Sequence, residues 1–230
     1  MNSLAVLVEG ETEQAFVRKQ LAGHLVTFGV QAFAIPPGKQ GRLRGVRKWA
    51  GTQTDLERLL KRPGTFVTTM FDFYGMPIDW PGRSEAGKLK HGKRAESVEQ
   101  AVAKQIQQVM GDKFNQRRFI PYVQLHEFEA LMFASPKVLA DTLAPLSVMS
   151  AETLARYFTG VLEEAGAPEW INDSYDTCPS RRITSVVQSY RKPAQGSIVT
   201  ERIGLPKLRE QCKHFASWIE KLEAIGTVES

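Results

Sequence analysis

The sequence predicts an α/β fold with a mainly parallel sheet, and three observations carry that expectation. Short apolar runs, each ended by turn residues or an acid, recur at residues 4–8, 30–35, 65–71 and 119–125. Segments of helical periodicity lie between them, so strands and helices alternate through the first part of the chain. The first and third runs stop at Glu9 and Asp72, and the fourth leads into His126 and Glu127. In open parallel sheets, ligands bind beyond the carboxyl ends of the strands.

Leu4-Ala5-Val6-Leu7-Val8 is continuously apolar and reads as a strand buried on both faces. Gly10 turns the chain, Thr12 is the expected N-cap, and a helix follows with Phe16, Val17 and Leu21 on its inner face. Glu9 and Glu13 stand four residues apart across this turn, so both carboxylates can face one crevice; Glu11 is expected only to complement the helix dipole. Residues 30–35 alternate as a second strand before Pro36-Pro37-Gly38. Lys39, Arg42, Arg44 and Arg47 interleave with glycines in a loop that lacks the Gly-Lys-Ser/Thr of a phosphate loop. A helix is expected over residues 49–60, with Leu56, Leu59 and Leu60 inward, and a third strand over 65–71. Residues 78–92 are polar and glycine-containing and read as a long mobile loop. The helix expected over 95–110 carries a core stripe of Val98, Val102, Ile106 and Val109. Beyond the fourth strand, residues 139–143, 151–165 and 205–222 read as helices, and 166–204 as loop-rich.

The chain has 230 residues, 42% hydrophobic and 24% charged, ordinary for a globular protein. No apolar stretch approaches the roughly 20 residues of a membrane span, and the start lacks the basic segment of a signal peptide. No membrane association and a cytoplasmic location are therefore expected. Cys178 and Cys212 have no metal-ligand spacing and read as reduced thiols. The net charge of +5 is uneven: residues 38–62 hold eight Lys or Arg against Asp55 and Glu57, and residues 83–118 hold nine against four acids. Such segments suit either a polyanion such as nucleic acid or an ordinary solvated face.

Acids at three strand ends, Glu9 with Glu13, Asp72, and Glu127 with Glu129, converge on one crevice if the strands are parallel and adjacent. Clustered carboxylates repel unless a cation neutralises them, and hard oxygen donors suit Mg²⁺ or Mn²⁺. Such an ion polarises a phosphodiester and activates water. His126 reads as a ligand, a general acid or a packed side chain. Each acid taken singly reads as a strand-end cap on the helix that follows rather than as a catalytic group, and their joint occurrence on three strand ends is what argues for a site; the acids alone also fit a phosphatase, a nucleotide-binding module or a receiver-like domain.

Val8-Glu9-Gly10 followed by Glu13 resembles the first motif of Toprim domains, found in topoisomerases, bacterial primases and OLD-type nucleases; Phe71-Asp72-Phe73-Tyr74-Gly75 occupies the place of their Asp-x-Asp motif. More closely, the chain resembles a Toprim-like family labelled domain of unknown function 4276. Val8-Glu9-Gly10-Glu11-Thr12-Glu13, Asp72-Phe73-Tyr74-Gly75, His126-Glu127-Phe128-Glu129-Ala130-Leu131-Met132-Phe133, Ile171-Asn172-Asp173, Pro179-Ser180-Arg181-Arg182-Ile183 and Cys212-Lys213-His214-Phe215-Ala216-Ser217-Trp218 carry that resemblance. It implies a Toprim-like (Rossmann-like) core, residues 1–135, with a helical C-terminal extension, 136–230. It also implies a divalent-metal site in which Glu9 is an acid/base or ligand and Glu13 and Asp72 are ligands. Tyr74 replaces the second acid of Asp-x-Asp, which hands a position to Glu127 or Glu129 or leaves a one-metal site.

Ser180, Arg181 and Arg182, with Tyr190-Arg191-Lys192, form a basic, hydroxyl-bearing group, either a phosphate-binding set or a surface loop. Arg181 and Arg182 are the candidates for nucleic-acid contact there, alongside Lys39, Arg42, Arg44 and Arg47; Lys192 joins Glu9 and Glu127 as a candidate catalytic group. The expected function is metal-dependent cleavage of DNA or RNA; the family resemblance implies that this serves as the effector of a bacterial defence system with an ABC-type ATPase partner. The rivals are a non-catalytic adaptor subunit of such an ATPase and a phosphohydrolase of small nucleotides.

Overall fold

The computed structural model describes residues 1–36, 48–171 and 175–227. The chain divides into two compact units, Met1–Gln124 with Trp218–Ser230, and Leu125–Ser217. Residues 125–135 thus fall with the second unit and 218–230 with the first, whereas the sequence reading divides the chain at 135.

The first unit is built on a parallel sheet. Its elements are β1 (Asn2–Val8), α1 (Glu11–Phe16), a π-helical turn (Val17–Leu21), α2 (Ala22–Val26), β2 (Val30–Ile35), α3 (Trp49–Leu60), β3 (Thr65–Asp72), α4 (Arg83–Ala86), α5 (His91–Met110), β4 (Phe119–Ile120) and β5 (Val123–Gln124). The strand order is β2-β1-β3-β4, with β5 also on β3, and every pairing is parallel. Leu4, Ala5, Val6 and Val8 are fully buried, as a central parallel strand requires.

The helix after β1 starts at Glu11, with Gly10 rather than the expected Thr12 as its N-cap; Thr12 is buried. Phe16, Val17 and Leu21 are buried as expected, and the π turn widens the helix just after the first acids. The fourth strand is not continuous over 119–125. Pro121 has no N–H to give the ladder, and the strand breaks into β4 and β5, which keep one register against β3. Thr69 closes the gap: its hydroxyl donates to the Tyr122 carbonyl (2.8 Å) and accepts from the Tyr122 N–H (2.9 Å). Trp218 stacks on Tyr122, ring centroids 4.3 Å apart, and its indole donates to the Thr68 hydroxyl (2.8 Å).

Residues 78–92 form no long loop. Trp80 is buried against Trp49 and Phe71, Asp79 accepts from the Trp49 N–H (3.2 Å), and α4 follows. Gly82, at φ 74°, allows this turn; a Cβ there would lie 2.7 Å from that of Ala101. On α5, Val98, Val102 and Ile106 are buried, but Val109 is exposed, since the stripe drifts outward in the last turn.

The second unit is helical. A 3₁₀ segment (Phe128–Ala134) is followed by α6 (Pro136–Leu143), α7 (Ala151–Ala165), α8 (Pro179–Val186), α9 (Lys192–Ile203) and α10 (Leu205–Gln211); α11 (Lys213–Glu223) begins in this unit and from Trp218 belongs to the first. The region read as loop-rich, 166–204, contains α8 and α9, whose short lengths and internal polar residues hid their periodicity. The single helix expected over 205–222 breaks at Cys212, which has an extended backbone. Glu169 accepts from the His214 and Phe215 N–H groups (3.0 and 2.9 Å) and caps α11. Among the described residues, no helix is long and apolar enough to cross a membrane.

Candidate functional site

The connection from β1 goes first to β2 on one side, and the chain then returns to β3 on the other. The sheet therefore has a topological switch point between β1 and β3, the place where an open α/β sheet leaves a crevice beyond its strand ends. Glu9 follows the last residue of β1, and Asp72 is the last residue of β3. The Asp72 N–H donates to Glu9 Oε2 at 3.1 Å, so the two acids are neighbours across this crevice. A Cβ on Gly75 would lie 3.3 Å from Glu9 Oε1, and one on Gly10 would lie 3.3 Å from Glu13 Oε2. The carboxylates of Glu9 and Glu13 are thus each laid against a glycine. Asp72 and Glu13 are buried, while Glu11 points to solvent at the first helical turn, as its dipole role requires.

The turn after Asp72 has a basic flank. Arg83 donates to the Phe73 carbonyl (3.1 Å) and lies over the Phe73 ring, 4.0 Å from its centroid. Arg94 donates to the Tyr74 hydroxyl (2.6 Å) and to the Leu89 carbonyl (2.8 Å). Burial lowers the Arg83 guanidinium from its ordinary value; the Tyr74 oxygen opposes this and the Arg94 charge adds to it. Arg83 stays charged even so. Tyr74, at the position of the missing second acid, is 40% exposed and engaged by Arg94.

The donors at the switch point are all carboxylate oxygens, the chemistry Mg²⁺ and Mn²⁺ prefer. Among the described residues, no three His, Cys, Asp or Glu side chains are gathered to hold one ion. Mg²⁺ does not need three, because it is commonly held by one or two carboxylates together with waters and substrate phosphate. The residues present fit an ion bound in that way.

Glu127, Glu129 and Lys192 belong to the second unit. Glu127 caps α8: Oε2 accepts from the Ser180 N–H (2.9 Å) and Oε1 from the Ser180 hydroxyl (3.0 Å). Glu129 is buried, accepts from the Tyr190 hydroxyl (3.2 Å) and pairs with Lys192 (3.4 Å). Burial, and then the Glu129 charge, push the Tyr190 phenol far up, so it is held as a neutral donor. His126 is fully buried with φ 69°, the one positive φ outside glycine among the described residues. Arg182 contacts Glu164 (3.4 Å), and Arg181 is exposed. Lys39, Arg42, Arg44 and Arg47 lie outside the described residues, as do Asn172 and Asp173.

Two contributors escaped the sequence reading. Gly75 is set against Glu9, for which the only signal was a glycine after two aromatic residues. Arg118 was counted with the polyanion-binding excess, yet its guanidinium is committed to the carbonyls of Leu60, Arg62 and Thr65.

Comparison with curated proteins gives no match. Among solved structures, the C-terminal region of the OLD protein of Xanthomonas campestris pv. campestris matches at 15% identity, covering 97% of this chain and 95% of that one, with a TM-score of 0.39. A likeness of that degree is too slight to bear on function. The family described as domain of unknown function (DUF4276) matches over residues 8–223, and by that near-complete match the chain belongs to this family.

Proposed function

We propose that the protein is a metal-dependent nuclease whose reaction centre is the crevice at the β1/β3 switch point, and that this unit is Toprim-like. The observation that carries the reading is the pairing of Glu9 with the end of β3: a carboxylate at one strand end is fixed by the backbone of the acid at the next. One or two of Glu9, Glu13 and Asp72, with waters and a substrate phosphate, would hold Mg²⁺ or Mn²⁺, which supplies charge stabilisation at the phosphodiester and acidifies water. Glu9 is the best placed of the three to take a proton, because it is only part-buried and one of its oxygens is held by the Asp72 N–H. Arg83 and Arg94 orient the backbone phosphates of the substrate on the flank of the turn, where guanidinium groups match phosphate oxygens. The basic excess supports a polymer over a small nucleotide. The motif resemblance adds an ABC-type ATPase as partner and a role in bacterial defence.

The test is incubation of the purified protein with plasmid DNA, single-stranded DNA and tRNA, in Mg²⁺, Mn²⁺ or EDTA. Cleavage in metal and none in EDTA is expected. Glu9→Gln and Asp72→Asn should each lower it at least ~100-fold, the scale of losing an acid–base or metal contribution, with the fold retained. If the wild-type protein cuts none of these substrates, with or without an ATPase partner, the acids are structural and the protein is an adaptor.

A further inference from the structure

The turn after Asp72 carries an exposed aromatic ring at the rim of the switch-point crevice. Tyr74 lies two residues beyond Asp72, whose N–H binds Glu9, and directly before Gly75, which is set against the same carboxylate. Two residues of chain span at most about 7 Å, so the Tyr74 backbone stays that close to Asp72. Its side chain does not follow its neighbours inward. Phe71, Asp72, Phe73 and Met76 are buried, whereas Tyr74 is 40% exposed.

The ring is exposed but held. Arg94 donates to its hydroxyl (2.6 Å), and the same guanidinium binds the Leu89 carbonyl (2.8 Å). The Phe73 and Tyr74 rings form a T with centroids 5.3 Å apart, and the Arg83 guanidinium lies over the Phe73 ring in turn. An exposed apolar side chain by itself needs no explanation. Holding one in place costs rotamer entropy, and here that cost is met beside a pair of carboxylates. The charge around the ring has one dominant sign. Residues 83–94 contain Arg83, Lys88, Lys90, Lys93 and Arg94 against Glu85 alone, and the three lysines are exposed.

A fixed aromatic surface among cations is the means by which proteins hold unpaired bases. The ring takes the face that every base has, and the cations take the phosphates. Inside a duplex those faces are covered by neighbouring bases, so an aromatic ring reaches one only when the base is unstacked. We infer that the crevice takes a single strand or another unpaired segment of nucleic acid, with the base next to the cut phosphate stacked on Tyr74. On the nuclease reading, on which this rests, a base on Tyr74 brings its own phosphate to Glu9 and Asp72, because both belong to one nucleotide. Tyr74 thereby sets which form of nucleic acid is cut.

The test is fluorescence anisotropy of the intact protein in EDTA, which separates binding from cleavage, with labelled single strands of DNA and of RNA and the matching blunt duplexes. Single strands are expected to bind at least ~10-fold more tightly than duplexes. Tyr74→Ala should weaken single-strand binding roughly tenfold, the loss of one stack, and leave duplex binding unchanged. Tyr74→Phe keeps the ring and loses the Arg94 bond, so it should bind like the wild type. The side chain is exposed, so both variants should fold. Irradiation of a bound strand carrying 5-iodouracil should crosslink it to Tyr74, read by mass spectrometry of the peptide. The polymer whose binding depends on Tyr74, DNA or RNA, is the occupant. Equal affinity for strands and duplexes, a single-strand preference untouched by Tyr74→Ala, or a loss in Tyr74→Phe as large as in Tyr74→Ala overturns the inference. Cleavage in Mn²⁺, measured alongside, keeps the two readings apart. Tyr74-dependent binding without cleavage supports the base platform and counts against the nuclease alone. Cleavage of duplexes as fast as of single strands, unchanged in Tyr74→Ala, overturns the platform and leaves the nuclease standing.

Discussion

Replacing Gly75 by alanine probes the close approach of the Glu9 carboxylate to this glycine. The backbone at Gly75 is outside the left-handed region, so alanine is conformationally permitted, and losing a glycine alone stabilises by about 0.4–1 kcal/mol. The new Cβ, however, would sit 3.3 Å from Glu9 Oε1 and 3.6 Å from Oε2. The carboxylate must therefore retreat by a few tenths of an ångström. It is anchored by an Asp72 N–H bond that is already 3.1 Å long, near the upper end of ordinary hydrogen bonds. Retreat stretches that bond past its useful length. A hydrogen bond to a charged group contributes about 1.5–3 kcal/mol, so Gly75→Ala should destabilise by about 1–2 kcal/mol net. The assay is a double-mutant cycle in urea with Glu9→Ala. In the Glu9→Ala background the Gly75→Ala cost should vanish or turn into a small gain, giving a coupling of at least about 1 kcal/mol. The same substitution should lower Mn²⁺-supported cleavage roughly tenfold, because reacting groups tolerate displacements of only about 0.5 Å. Additive stabilities, with the same Gly75→Ala effect whether or not Glu9 is present, would refute the reasoning.

Two further outcomes follow from the same structure. Thr69→Val keeps the side-chain shape but removes the hydroxyl that accepts from the buried Tyr122 N–H at the break between β4 and β5; a loss of about 1–3 kcal/mol is expected in urea unfolding, the cost of one stranded buried group. Burial raises the Glu169 carboxyl above its ordinary value against the opposing pull of the α11 N–H groups, so the folded state keeps this proton at a pH where the unfolded state has lost it. That contribution to stability is full below the usual glutamate value of about 4.3 and declines as pH rises through the raised folded value; Glu169→Gln should flatten this decline, and an unchanged pH slope would show that Glu169 does not set it.

The parallel sheet was legible because its central strands β1 and β3 are buried on both faces, and residues 30–35, 49–60 and 151–165 were bounded as the structure has them. Glu9 and Asp72 were legible for a related reason: a carboxylate that directly follows a buried run stands out against it. What the sequence hid depends on contacts between distant residues. Nothing local marks Trp80 as buried, since its partners Trp49 and Phe71 come from other elements. Nothing local splits α8 and α9 from a loop, because Glu127 caps α8 from more than fifty positions away. The basic excess likewise could not be sorted by sequence into Arg118, which ties carbonyls together, and Arg94, which stands at the turn beside Asp72.

Glu9 also has a role that owes nothing to metal. The β1–β3 ladder ends with Val8 opposite Met70, and successive N–H groups of β3 point to alternate sides. The Phe73 N–H turns to β5 and donates to the Gln124 carbonyl (3.0 Å). The Asp72 N–H turns the other way, beyond Val8, the last residue of β1. The Glu9 side chain receives it. A glutamate is long enough to reach back across the strand gap, and an aspartate is shorter by one methylene. The structural need is therefore for an acceptor of this length, which glutamine meets as well as glutamate does. Only the chemical role needs the charge. Glu9→Gln separates the two, since it keeps the strand end closed and removes the anion. A protein in which Glu9 serves only the ladder should be indifferent to that change, and a nuclease centred on this crevice should not survive it.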